Sequence, residues 1–153
     1  MEMLKSQVRI VLFLVFFSTC ALLWESAKAE DYLDFYEQGE FALRVENWDR
    51  AIEMFTKSIQ DNANFFVAYH YRAIAYSKKG EYDKSIEDLK KAVQLNPDYP
   101  DAYGLMGLVY EIKKDYPAAL GVYKEALARE KRPAVIKLLQ KYVQDAEAKI
   151  KKK

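Results

Sequence analysis

The sequence predicts an all-α chain, an α-solenoid of three helical hairpins closed by a C-terminal capping helix. Three observations predict it. Helix breakers are scarce, with 5 Gly and 4 Pro among 153 residues, and helix formers are plentiful. Large and small side chains recur every 34 residues without a gap. Within each period they are spaced by three and four, which gathers them on one face of a helix.

Residues 1–29 precede the repeats. Lys5 and Arg9 make a positive start, Ile10 to Trp24 run without a charge, and Ala27-Lys28-Ala29 is a small-x-small site before Glu30 and Asp31. This is the order of a secretory signal peptide. The expected mature chain is 30–153, exported to the periplasm or secreted. Two other readings stay open. One is an uncleaved membrane anchor, although the apolar run is shorter than the roughly 20 residues that span a bilayer. The other is lipidation at Cys20, although Phe17-Ser18-Thr19 matches a lipoprotein box poorly. Membrane contact is expected only if the segment is retained. Cys20 is the one cysteine, so the mature domain has no disulfide and no thiolate metal site. Removing residues 1–29 takes away Lys5, Arg9, Lys28, Glu2 and Glu25, which leaves 21 basic and 21 acidic residues. No global field then draws the domain to nucleic acid or to an anionic membrane.

The period is read from six columns. Phe35, Tyr69 and Tyr103 are large; Gly39, Ala73 and Gly107 are small; Trp48, Tyr82 and Tyr116 are aromatic. Ala51, Ser85 and Ala119 are small, Phe55, Leu89 and Tyr123 large, and Ser58, Ala92 and Ala126 small again. Each unit is therefore two helices, with breaks near Glu46-Asn47, Lys79-Gly80 and Lys114-Asp115. Small residues let the two helices approach, and the large ones fit beside them. Pro97 comes after a helix end, Pro100 and Pro117 suit the first turn of the next helix, and Pro133 separates the last unit from the C-terminal segment.

These columns resemble the tetratricopeptide repeat (TPR). The second unit carries the pattern best, with Tyr69, Ala73, Tyr76, Gly80, Tyr82, Ala92 and Pro97. The third has Tyr103, Gly107, Tyr110, Tyr116, Ala119, Tyr123 and Ala126, and the first has Phe35, Gly39, Trp48, Ala51 and Phe55. The chain departs from the pattern at Ala63 and Lys131, where the terminal Pro is missing, and at Ser85 and Leu89. The expected repeats cover residues 32–65, 66–99 and 100–133. A capping helix is expected over 134–150, outside the period. Val135, Ile136, Leu138, Leu139, Tyr142, Val143, Ala146 and Ile150 share one arc of its wheel. It covers the open end of the stack, as solenoids require, or alternatively presents an amphipathic face to a partner. Lys149 and Lys151 to Lys153 suit a solvated helix C-terminus.

Chemistry-bearing clusters are missing from the sequence. His70 is the one histidine, so neither a multi-histidine metal site nor a Cys-His pair can form within the mature chain. Gly80 and Gly104 lie in no phosphate-binding loop, and no nucleophile elbow is present. No enzyme activity, cofactor, metal or small-molecule substrate is expected, and the carboxylates read as mostly solvated helix-surface groups.

The resemblance implies a protein or peptide ligand in a concave groove lined by the first helix of each unit. Its columns hold Leu33, Val67 and Asp101; Tyr36, His70 and Gly104; Glu40, Ile74 and Leu108; and Leu43, Ser77 and Glu111. This is an apolar floor with acidic edges. Some family members clamp a peptide's terminal carboxylate with Lys, Arg and Asn. The corresponding places here hold Tyr36, Glu40, Tyr71, Asp101 and Leu105, so the clamp is absent. The ligand is instead expected to be an extended or helical segment with apolar anchors, bound by an adaptor or scaffold in a cell-envelope assembly. The alternative is a structural subunit that stacks on copies of itself, a homo-oligomer.

Overall fold

The computed structural model describes residues 31–152; the segment read as a secretory signal lies outside them. Residues 31–44 are helical and are called α1. Six helices come after it: α2 (Trp48–Asp61), α3 (Phe66–Lys78), α4 (Tyr82–Leu95), α5 (Pro100–Ile112), α6 (Tyr116–Arg129) and α7 (Pro133–Lys151). No strand occurs among the described residues. The fold is an all-α solenoid of three hairpins, α1/α2, α3/α4 and α5/α6, with α7 packed on α6. No described helix is long and apolar enough to cross a membrane.

The three hairpin turns are built alike, one period apart. Glu46, Gly80 and Lys114 each take positive φ, at 58°, 80° and 61°. After each, the next amide N–H donates back to the carbonyl of Ala42, Tyr76 or Tyr110 at 2.9 Å. That bond closes the helix end in the left-handed manner that glycine adopts without strain. Asn47 and Asp115 then cap α2 and α6, accepting from the amides of Arg50 at 3.1 Å and Ala118 at 3.2 Å. Between hairpins, Asn62 and Asn96 accept from the amides two residues on, short turns that carry the chain into α3 and α5. Pro100, Pro117 and Pro133 lie in first turns, where a missing N–H costs nothing.

The core is laid out along the size columns. A Cβ on Gly39 would stand 2.6 Å from the Phe55 ring, and one on Gly107 would stand 2.3 Å from the Tyr123 ring. Each glycine is thus the seat of an aromatic side chain that is fully buried. In the middle hairpin the same two columns hold Ala73 and Leu89, both fully buried in one cluster.

Two carboxylates depart from the solvated-surface expectation. Asp88 and Glu130 are buried. Arg72 on α3 donates two bonds to Asp88 on α4, both 2.7 Å, and a third to Thr56 on α2 at 3.0 Å. Its guanidinium also lies 5.6 Å from the Tyr69 ring centre. One side chain therefore ties three helices across the first hairpin boundary. Arg72→Met keeps the stem but strands the Asp88 carboxyl. Removing one partner of a buried pair costs about 3–5 kcal/mol. The urea midpoint is expected to fall accordingly, and adding Asp88→Leu is expected to recover much of the loss. A midpoint unchanged by Arg72→Met would show that the pair does not hold the boundary.

Candidate partner-binding groove

A cleft of about 360 Å³ opens between α3, α5 and α7. Ile74, Leu105, Leu108, Val135, Leu138 and Leu139 form its apolar walls, and His70, Tyr71, Tyr99 and Tyr142 add rings. Of the residues read from the sequence as groove positions, His70, Ile74, Asp101, Gly104 and Leu108 meet here. Leu33, Tyr36, Glu40, Leu43, Val67, Ser77 and Glu111 lie outside its lining. Leu33 is exposed, and Leu43 packs on the core of the first hairpin. Tyr36 reaches the cleft through ring contacts. It sits edge-on to Tyr71 at 5.5 Å, Tyr71 meets His70 at 5.5 Å, and His70 meets Tyr99 at 5.0 Å. A run of four rings therefore spans α1, α3 and the start of α5.

The acidic edge is engaged by α7 rather than open. Arg132 pairs with both Asp101 and Glu130, and Lys149 pairs with Glu111 at 3.0 Å. Arg132, through its side chain and its amide, and the Lys131 amide hold the Glu130 carboxyl down at about 2. Burial pushes the Tyr99 hydroxyl up to about 12, and burial with Tyr71 and Glu40 nearby raises Tyr36 further. These phenols stay neutral across the physiological range.

The contribution of α7 was missed in the sequence columns. Val135, Leu138, Leu139 and Tyr142 lie one period after Asp101, Gly104, Leu105 and Leu108, so the last helix lines the cleft in register with α5, although its residue types do not repeat the size columns. It stands where the first helix of a fourth hairpin would stand. The positions on its other side, Lys137, Lys141 and Gln144, are one period after Tyr103, Gly107 and Tyr110. Polar residues there replace those that would receive a second helix.

Gly104 could carry a Cβ without a clash, in ordinary van der Waals contact with Leu139 Cδ2 at 3.9 Å. His70 is buried, at 8% exposure, and its Nδ1 has no hydrogen-bond partner. Among the described residues no group of three or more His, Cys, Asp or Glu is placed to hold a metal ion.

Residues 73–113 match the family model described as TPR repeat, and residues 54–87 match the one described as tetratricopeptide repeat. Comparison with curated protein sequences returns no match. Among solved structures, the TPR domain of Arabidopsis OM64 is similar, at 23% identity and a TM-score of 0.71. The likeness covers 77% of this chain and 98% of that one. The TPR2B domain of yeast Sti1, solved as a pHsp70 complex, is similar at 19% identity and TM-score 0.73, over 78% of this chain and 98% of that one. The first TPR of Spaghetti (RPAP3), bound to the HSP90 peptide SRMEEVD, is similar at 25% identity and TM-score 0.68, over 76% and 93%. The hairpin stack has the fold of TPR domains, and the repeat matches support that family.

Burial holds the His70 imidazole down at about 4, against an opposing pull from Asp101. The unfolded chain binds that proton near the ordinary histidine value of about 6.5. Stability is therefore complete above pH ~6.5, declines as pH falls toward about 4, and is flat below. The loss from this group is at most about 3 kcal/mol. His70→Phe is expected to flatten the dependence of the urea midpoint on pH in that window, at little cost at neutral pH. An unchanged slope in the variant would show that His70 is not its source.

Proposed function

We propose that this chain is a protein-binding TPR scaffold, and that its ligand is an extended or helical segment seated by apolar side chains between α3, α5 and α7. The observation that carries the reading is the cleft's own lining, an aliphatic and aromatic surface bordered by Gly104. Buried apolar anchors in such a place supply most of the binding free energy in groove recognition. The similar domains from yeast Sti1 and Spaghetti were solved with pHsp70 and an HSP90 peptide. A protein ligand for this chain is in keeping with that likeness, whereas an acidic tail is not. Where some TPR domains carry a cationic clamp, Tyr36, Glu40, Tyr71, Asp101 and Leu105 supply no positive charge. The remaining groove columns, with Leu33, Val67 and Ser77, extend the surface along which a longer segment runs. Holding a partner, rather than catalysis, is the activity that this set of side chains supports.

The order of residues 1–29 supports export before this binding takes place, with the partner in a cell-envelope assembly. Mass spectrometry of the exported protein is expected to find Glu30 at the N-terminus; a lipidated Cys20 would overturn cleavage.

Gly104→Leu adds a bulky side chain at the cleft's lining, and Leu108→Glu puts a charge on its floor. Each is expected to weaken capture of partners from an envelope fraction at least about tenfold, the scale of one lost apolar anchor. Circular dichroism should stay unchanged. Equal capture by wild type and both variants would remove the cleft from the binding reaction.

A further inference from the structure

A second surface lies at the opposite end of the stack. The positions of α3 and α5 that face the preceding hairpin are Ala68 and Ala75, and Ala102, Met106 and Val109, all buried. They pack in the clusters that contain Ile52 and Ile59 of α2, and Ile86 and Leu89 of α4. One period earlier, α1 presents Asp34, Gln38 and Phe41 in these same places. Phe41 is 62% exposed and Val45 is 55% exposed, and with Asp34 and Glu37 they line a shallow cleft. A position that the fold covers twice is uncovered at its first occurrence among the described residues, and it carries an aromatic ring beside two carboxylates.

At the far end, the outer face of α7 has the matching chemistry. Lys137 and Lys141 are exposed, one turn apart on the helix, and neither has an ion pair among the described residues. Lysine stems cover apolar surface while their ammonium groups pair with carboxylates at its edge, and an ammonium over an aromatic face gains further attraction.

We propose that α1 of one copy docks on the outer face of α7 of a second copy, with Lys137 and Lys141 over Phe41 and paired to Asp34 and Glu37. The contact is head to tail, so each copy can engage two others and the product is a ring or an open chain rather than an isologous dimer. Its charge pairs are exposed, so association weakens with salt. This surface is separate from the cleft between α3, α5 and α7 and does not depend on what that cleft binds.

The test replaces Phe41 with photoreactive p-benzoylphenylalanine in the full chain and irradiates a mixture of nitrogen-14 and nitrogen-15 copies at high protein concentration. The expected adducts join position 41 of one isotopic copy to residues 137–148 of the other. They should disappear at high salt and in Lys137→Glu/Lys141→Glu, and return when the acceptor carrying that pair meets Asp34→Lys/Glu37→Lys in the donor. Adducts to residues 1–30 of the same copy, adducts elsewhere on the second copy, or no adduct at all would each overturn the proposal. The substituted positions are exposed, so loss of folding does not confound the result.

Discussion

Everything in this stack depends on how closely the two helices of a hairpin approach, and that distance is set where a small residue meets a large one. Gly39 receives Phe55, and Gly107 receives Tyr123, at distances that leave no room for a Cβ. The middle hairpin reaches the same end with a different pair, Ala73 with Leu89. A seat one methyl larger holds a knob that is smaller than an aromatic ring. The size columns are therefore linked, each seat matched to its own knob, as a close-packed interior demands.

Close approach has consequences at longer range. Two helices held at that distance need a short turn, and the left-handed residues at 46, 80 and 114 supply three equivalent ones. Equivalent turns make equivalent hairpins, and equivalent hairpins stack with their first helices on one side. That is why His70 and Ile74 of α3 meet Gly104 and Leu108 of α5, although more than thirty residues separate them. The ion pair of Lys79 with Asp49 is repeated one period later by Lys113 with Asp83. These pairs are largely exposed and worth little in stability, so they result from the stacking rather than cause it.

The helices and their pairing were legible in the sequence because size recurs with a period that no other feature disturbs. The hairpin breaks and the roles of the four prolines were legible for the same reason. The groove was legible only in part. Its columns name positions on a helix, whereas a cleft depends on which neighbours close over them. Leu43 is drawn into the core of the first hairpin, Leu33 stands in solvent, and Asp101 and Glu111 are taken up by Arg132 and Lys149. The wall supplied by α7 was hidden by its own outer face. Lys137 and Lys141 break the apolar pattern on the side away from the cleft, while Val135, Leu138 and Tyr142 line the cleft itself. The buried Arg72–Asp88 pair had no sequence signature, since an arginine and an aspartate sixteen residues apart meet only after α3 and α4 have folded together.

The matching of seat to knob is tested most directly by a double-mutant cycle at Gly107 and Tyr123, measured by urea unfolding. Gly107→Ala overpacks the seat, and Tyr123→Leu alone leaves a void; each is expected to destabilise by about 1–3 kcal/mol. Together they recreate the Ala73 and Leu89 pair of the middle hairpin, so the double variant should be more stable than the sum of the two losses by at least about 1 kcal/mol. Losses that add to within about 0.5 kcal/mol would mean that the two columns act independently and that matched packing does not set the spacing of the helices.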